Sequence, residues 1–238
     1  GSKIRGEQMD INTKIVETKA DLAGLMTQFQ KEGRKVWVTS SFQTQSVPLL
    51  HLLSSTAADV EVLLIDTGFL FPETYAFAHD LQGLMGFQMR RIRGRRSYAE
   101  QMTGDGQLLH TKDTDACCKL NKVEPMDDLL SAGDVWMSDI RADQTATRAA
   151  KQKLETDARG VIRCHPMLNW TGREIYAYIR LHSLPKHPLE MAGYLSIGCL
   201  PCTRKWDGLS GGAARAARWE GSGKTECGLH LAPDEGKK

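Results

Sequence analysis

Lys35-Val36-Trp37-Val38-Thr39-Ser40-Ser41-Phe42-Gln43-Thr44-Gln45-Ser46-Val47-Pro48 is the stretch that decides the fold. Val36 to Thr39 are β-branched or aromatic, as in a buried strand. A polar turn, Ser40 to Ser46, follows. Pro48 then opens a helix, because proline suits the first helical turn. A strand running through a short polar turn into a helix is the unit from which α/β sheets are built. In such folds the turn at the strand's carboxyl end is where nucleotides bind, and backbone N–H groups there can hold phosphate. The turn lacks the Gly-x-x-x-x-Gly-Lys of a Walker loop, so an ordinary strand–helix turn is an equal reading of it.

The same unit recurs outward from this stretch. Val60-Glu61-Val62-Leu63-Leu64-Ile65-Asp66 reads as a second buried strand ending in Thr67-Gly68, and Pro72 opens the next helix, to about Met85. Phe87 to Ile92, Asp134 to Ser138 and Val161 to His165 read as further strands. Upstream, Ile15, Leu22, Leu25, Met26 and Phe29 keep helical spacing from Ile11, and Gly33 is a stop signal. Cys117 to Leu130 reads as helical. Thr171-x-x-Glu174 is a capping box for a helix from Gly172 to about Leu181. The expected fold is α/β, a Rossmann-like parallel sheet with helices on both faces. The expected division is a tag remnant and disordered start over 1–10, an α/β domain over 11–204, and a flexible segment rich in Gly, Ala, Ser and Arg over 205–238.

Six cysteines carry the chemistry. Cys117-Cys118 is an adjacent pair, and Cys199-Leu200-Pro201-Cys202 follows far downstream. Four thiolates complete either a zinc site or a [4Fe–4S] cluster. Neighbouring side chains on a helix point about 100° apart, awkward for one small ion and easier for a larger cluster. Buried packing cysteines are the plain alternative. Cys227 stands apart, with Lys224 before it and His230 after it. Positive neighbours raise a thiol's thiolate fraction, which makes Cys227 a candidate nucleophile; an idle surface cysteine is the alternative. Cys164 has no neighbouring motif and reads as a small buried hydrophobe. Lys122, Arg141, Arg148, Arg215 and Arg218 recur beside the motifs, and arginine suits phosphate or sulfate oxygens.

Bulk properties exclude several classes. The 238 residues carry a net charge of +2, too small a field to suggest nucleic-acid binding. No apolar run approaches the ~18–20 residues that span a bilayer, and no secretory signal pattern is present. The cytoplasm is the expected compartment, where thiols stay reduced and cysteines serve as ligands or catalysts.

Taken together, the chain closely resembles the assimilatory adenylyl-sulfate (APS) and phosphoadenylyl-sulfate (PAPS) reductases of the iron–sulfur type. The likeness covers most of residues 35–230. It rests on Cys117-Cys118-Lys119-Leu120-Asn121-Lys122-Val123-Glu124-Pro125, on Ser196-Ile197-Gly198-Cys199-Leu200-Pro201-Cys202-Thr203 and on Glu226-Cys227-Gly228-Leu229-His230. Asp66-Thr67-Gly68 with Pro72-Glu73-Thr74-Tyr75, Asp143-Gln144 with Thr147-Arg148, and Arg215-Ala216-Ala217-Arg218-Trp219 extend it.

The resemblance implies a sheet of the adenine nucleotide alpha hydrolase (PP-loop) type. It implies that Cys227 attacks the phosphosulfate sulfur, that AMP leaves, and that reduced thioredoxin releases sulfite from an S-sulfocysteine. It places a [4Fe–4S] cluster on Cys117, Cys118, Cys199 and Cys202. It assigns Lys122, Arg148, Arg215, Arg218 and His230 to the phosphosulfate. It assigns Ser40, Ser41, Phe42, Ser46, Asp66, Thr67 and Gly68 to the nucleotide cradle. Members with the four cysteines generally prefer APS, and the family forms dimers or tetramers. Three positions depart from the family pattern. Gln43-Thr44-Gln45 stands where a glycine and often an acid occur, Asn121 where an arginine is common, and Asp139 where glycine is usual. Two other readings compete. A tRNA thiolation enzyme of the same fold would carry a Ser-Gly-Gly-x-Asp-Ser loop and a basic RNA surface, and neither is present. A non-catalytic zinc or cluster module would leave Cys227 without a role.

Overall fold

A computed structural model of the chain describes residues 2–56, 60–206, 214–219 and 224–231. Its strands are β1 (Val36–Thr39), β2 (Glu61–Ile65), β3 (Gln88–Ile92), β4 (Val135–Met137), β5 (Leu154–Thr156) and β6 (Ile162–Cys164). They form one six-stranded sheet in the order β3-β2-β1-β4-β6-β5. Every pairing is parallel except β5 with β6, which is antiparallel. The parallel α/β sheet expected from the sequence is thus observed, with one antiparallel strand, β5, added at an edge. Leu154-Glu155-Thr156 is short, lies at the sheet edge and buries little, so it has no apolar alternation by which to be read.

The helices are α1 (Ser2–Lys31), α2 (Val47–Ser54), α3 (Pro72–Met85), α4 (Leu109–Lys112), α5 (Thr114–Cys118), α6 (Glu124–Leu129), α7 (Ala146–Ala149) and α8 (Gly172–Leu181). α1 starts at Ser2, not at Ile11, so residues 2–10 are helical rather than a disordered start. The apolar periodicity begins at Ile11, and Ile11, Ile15, Leu22, Leu25 and Phe29 pack in the core. Alternation along the strands sorts side chains to two faces. Val38, Val62, Leu64, Val135, Met137 and Cys164 pack in the larger core with α1, α2, α3 and α8. Trp37, Leu63 and Trp136 face the other side, where Met126 of α6 covers them and Leu129 and Leu229 pack alongside. Cys164 is fully buried in the larger core, as its isolation in sequence suggests.

The single helix expected over Cys117 to Leu130 is α5, a π-helical turn at Lys119–Val123, and then α6. Pro125 explains the widening. It cannot donate to the carbonyl of residue 121, and its ring would clash with that carbonyl in a regular α-helix. Segment 205–238, expected to be flexible, lies partly outside the described residues. Its described parts are docked. Thr203 bridges to Arg218, and the Trp219 N–H donates to the Cys202 carbonyl at 3.2 Å.

Asp66, just beyond β2, ties this edge together. Its carboxylate accepts from the Gly68 N–H at 2.9 Å, Tyr75 Oη at 2.5 Å, Arg91 Nη2 at 2.7 Å and Arg93 Nε at 2.8 Å. Burial pushes its carboxyl up, but these donors together outweigh it and hold the group down at about 2. A carboxyl lowered on folding adds stability that is present above its unfolded pKa and is lost as pH falls through its folded one. Asp66→Asn should therefore unfold about 2 kcal/mol more easily at neutral pH, with the gap closing from pH ~4 towards ~2. Denaturant melts across that range check this; a gap constant with pH would contradict it.

Candidate functional site

A cleft lies at the carboxyl ends of β1 and β4. The strand order reverses between these two strands, the position at which open α/β sheets bind ligands. Ser40 and Ser41 continue β1 into it, and Ser138, Asp139 and Ile140 continue β4. The π-turn delivers Lys122, and α7 delivers Arg148. The 3-10 turn Ala214–Ala217 and the residues after it bring Arg215, Arg218 and Trp219. The last described segment brings Cys227, Leu229 and His230. Among the expected site residues, Ser40, Ser41, Lys122, Arg148, Arg215, Arg218, His230 and Cys227 thus meet in one place.

Phe42, Ser46, Asp66, Thr67 and Gly68 do not line the cleft. Phe42 is fully buried in the larger core. Ser46 Oγ lies 2.8 Å from Ser41 Oγ and is also hydrogen-bonded to Asp139, so it supports the wall from behind. The Asp66 carboxylate is filled by its own edge of the sheet. Thr67 faces the cysteines instead. Gly68 has a φ of +78°, a conformation that strains other residues, and a Cβ there would stand 1.3 Å from Tyr98 Oη, so glycine is favoured at that point. Arg141 is also absent from the cleft wall: its Nε donates to Asp143 at 2.9 Å and its Nη1 to Gln45 at 2.6 Å.

The charge pattern centres on Cys227. Burial pushes its thiol up, but Lys122, the Leu229 backbone N–H, Arg218 and Arg215 together outweigh that and hold it below its ordinary value. Burial, and then the neighbouring Arg148, pull Arg215 down to about 10. Such a crowd of like charges favours an incoming anion. Arg218 is held by its Nε, which donates to the Cys202 carbonyl at 3.3 Å. Its guanidinium presses so closely on Gly198 that a Cβ there would lie 2.3 Å away. His230 is kept neutral, first by burial and then by Arg148 and Arg163. Arg163 Nη2 lies 3.2 Å from His230 Nδ1, and arginine can only donate. Nδ1 therefore accepts, and Nε2 carries the proton.

Sequence reading missed several parts of this site. Arg163 stacks 3.8 Å from the centroid of Trp136, which also lies against His230. Neither residue has a neighbouring motif, because strand pairing alone brings β4 and β6 under the C-terminal segment. Glu226 was visible only as a letter in a motif. Its carboxylate is buried and accepts from Arg148 Nε at 2.8 Å, Arg148 Nη2 at 3.0 Å and Thr145 Oγ1 at 2.9 Å. Asp139 lies in the cleft wall. Burial raises its carboxyl, against the opposing pull of Ser46, Arg148 and Arg141.

Beside the cleft is a smaller pocket lined by Cys117, Cys118, Cys199 and Cys202 with Thr67, Phe69, His110, Asn121, Pro201 and Trp219. Lys122 borders both pockets. Thr67 Oγ1 lies 3.2 Å from Cys199 Sγ, and Asn121 Nδ2 lies 3.6 Å from Cys117 Sγ. Burial, then Cys118 and Cys199, push the Cys117 thiol up to about 11. Burial likewise raises Cys118 and Cys202. Bare thiols so placed oppose one another's ionisation, and a cationic group that takes thiolates would relieve them. Among the described residues, no three His, Cys, Asp or Glu side chains converge where a single metal ion could sit.

Comparison with known proteins gives consistent likenesses. The phosphoadenosine phosphosulfate reductase domain matches residues 35–205. The chain is 34% identical over 228 residues to the adenosine 5'-phosphosulfate reductase of Salinibacter ruber, covering 90% of each chain. It is 34% identical over 200 residues to the phosphoadenosine 5'-phosphosulfate reductase of Gloeobacter violaceus, covering 83% of each. The phosphoadenylyl-sulfate reductase of Candida auris, solved as a phosphate complex, shares the fold. Its TM-score is 0.61 at 23% identity, over 80% of this chain and 96% of that one.

The electrostatics around Cys227 can be tested directly. Lys122→Gln should raise the pH midpoint for alkylation of Cys227 by roughly one unit, since an opposite charge close by favours the ionised form. Peptide mass mapping after iodoacetamide treatment across pH reads this. An unchanged midpoint would remove Lys122 from the account of Cys227.

Proposed function

The chain belongs to the phosphoadenosine phosphosulfate reductase family, and we propose that it reduces adenylyl sulfate to sulfite and AMP with Cys227 as its nucleophile. One observation carries this reading. Cys227, with its thiol held below the ordinary range, stands in the switch-point cleft among Lys122, Arg215 and Arg218.

The Cys227 thiolate attacks the sulfur of the phosphosulfate. The Cys227 S–S bond forms as the bond from sulfur to the bridging phosphate oxygen breaks, and AMP leaves with that oxygen. Lys122 and Arg218 offset the negative charge that would otherwise repel a thiolate from a sulfate. His230 Nε2–H is a neutral donor for a sulfate or phosphate oxygen. The product is an S-sulfocysteine. A thiolate of a reduced dithiol partner such as thioredoxin then attacks Cys227 Sγ and expels sulfite. The partner's second thiol resolves the mixed disulfide and returns Cys227. Two electrons pass from the dithiol to sulfur.

The four-cysteine pocket suits a [4Fe–4S] cluster held by Cys117, Cys118, Cys199 and Cys202. Its burial and the gathering of four cysteine side chains around it support that choice. Bound there, the cluster would supply local charge and polarity at Lys122, which borders both pockets. A cytoplasmic homodimer or homotetramer is the assembly the family suggests. Among the described residues no helix is long and apolar enough to cross a membrane.

APS is favoured over PAPS because family members with these four cysteines generally prefer it. Asp139, in the cleft wall, would oppose a further phosphate placed beside it, and the nearby Arg141 is committed to Asp143 and Gln45.

Sulfite release with thioredoxin, measured for APS and PAPS side by side, tests the reaction. The expected preference is for APS, and Cys227→Ser should lower turnover by at least ~10³-fold. Full activity in that variant would remove Cys227 from the chemistry. Asp139→Gly should raise the use of PAPS relative to APS, and an unchanged ratio would remove Asp139 from selectivity. Anaerobically purified protein should be brown and carry iron, and Cys199→Ser should lose it. Colourless protein with stoichiometric zinc would contradict the cluster.

A further inference from the structure

Arg148 and Arg215, which the family likeness assigns to the phosphosulfate, already hold a carboxylate. Glu226 is 6% exposed and Arg148 is 7% exposed, so their pairing is sheltered from water. Arg148 donates both Nε and Nη2 to the two Glu226 oxygens, at 2.8 and 3.0 Å, in a forked pair. Thr145 Oγ1 adds a third donor at 2.9 Å, and Arg215 Nη2 approaches Oε2 at 3.5 Å. Arg215 also donates to the Thr225 carbonyl through Nη2 at 3.0 Å and Nε at 3.2 Å. The remaining Arg148 nitrogen, Nη1, donates to Gln144 at 2.6 Å. The guanidinium of Arg148 is thus engaged along its whole edge, and its partner adjoins Cys227.

We infer that Glu226 is a positioning residue: its carboxylate docks the Cys227 segment onto Arg148 and Arg215, so that these arginines hold the nucleophile in place while Lys122 and Arg218 meet the phosphosulfate. The inference rests on the reductase reading for its kinetic consequence, but not for the docking itself. Thr145 and Arg148 belong to α7 and its cap, which are fixed to the sheet side of the cleft. Arg215 belongs to the 3-10 turn. Glu226 therefore joins three separate pieces of chain at one carboxylate. Thr145 also caps α7 by accepting from the Arg148 N–H at 3.1 Å, so the same side chain joins the anchor to the helix start. A residue that fixes its sequence neighbour this way controls the attacking geometry, and misplacement by about 1 Å can cost roughly 10²-fold in rate.

Two measurements on the full, cluster-loaded chain separate this from a direct role in binding substrate. Glu226→Gln keeps the shape and removes the charge; Glu226→Asp keeps the charge. In rapid-quench transfer of sulfur from APS to Cys227, Glu226→Gln should lower the maximal rate roughly 10²-fold, with half-saturation changed by less than about threefold. Glu226→Asp should recover much of that rate. In limited trypsin digestion, Glu226→Gln should be cut after Lys224 at least ~10-fold faster than the parent while the rest of the chain resists, as local undocking predicts. A raised half-saturation with an unchanged maximal rate would overturn the inference and return the arginines to the substrate. Unchanged cleavage after Lys224 would overturn it as well. If the parent protein transfers no sulfur from APS or PAPS, the reductase reading falls, and the trypsin comparison still decides whether Glu226 docks the segment.

Discussion

Positive charge gathered at the carboxyl ends of β1 and β4 is the constraint on which the rest of the site depends. Lys122, Arg148, and the pair Arg215 and Arg218 come from three separated stretches of sequence and face one cleft. Such a cluster is stable only if anions answer it. The chain answers part of it with Glu226, which is buried against Arg148. Losing one partner of a buried pair like this typically costs roughly 3–5 kcal/mol, because the other is left uncompensated. The remaining charge, on Lys122 and Arg218, is left facing Cys227. The same electrostatics that dock the C-terminal segment thus also hold its thiol low and prepare the cleft for an anionic substrate.

The second pocket is built on the same constraint from the opposite side. Four thiols sit together, with Cys117 pushed up by burial and then by Cys118 and Cys199, and Lys122 borders them as well as the cleft. The π-turn is what lets one helix serve both. Pro125 breaks the regular hydrogen-bond ladder, and the widened turn carries Lys122 between the two pockets while Cys117 and Cys118 stay buried in one. Asn121 stands where the family often has an arginine. It has become a neutral bracket: its Nδ2 donates to the Cys117 carbonyl at 2.9 Å and to Gln101 Oε1 at 2.7 Å.

Much of this was legible in the sequence, for identifiable reasons. Strands β1, β2 and β4 are short apolar runs flanked by turn residues, and Pro48, Pro72 and the Thr171 capping box mark helix starts that the structure keeps. The cysteines declared themselves by spacing. Edge strand β5 did not, because a polar three-residue edge has no face to bury. The first turns of α1 did not, because they carry no apolar stripe. The surroundings of Asp66 and Thr67 were not legible, because position in a motif does not reveal which way a side chain turns. Asp66 turns to Arg91 and Arg93, and Thr67 turns to Cys199. Arg163 and Trp136 stayed invisible because only the pairing of β4 with β6 sets them under His230.

All of the chemistry converges on one sulfur atom, and the most direct measurement weighs it. Protein incubated with APS and no thiol reductant should gain the mass of one SO3 group, release one AMP, and carry the added group on the peptide containing Cys227. Addition of reduced thioredoxin should return the original mass and release sulfite. An unmodified Cys227 peptide alongside released AMP, or an added group on another residue, would contradict Cys227 as the sulfur acceptor.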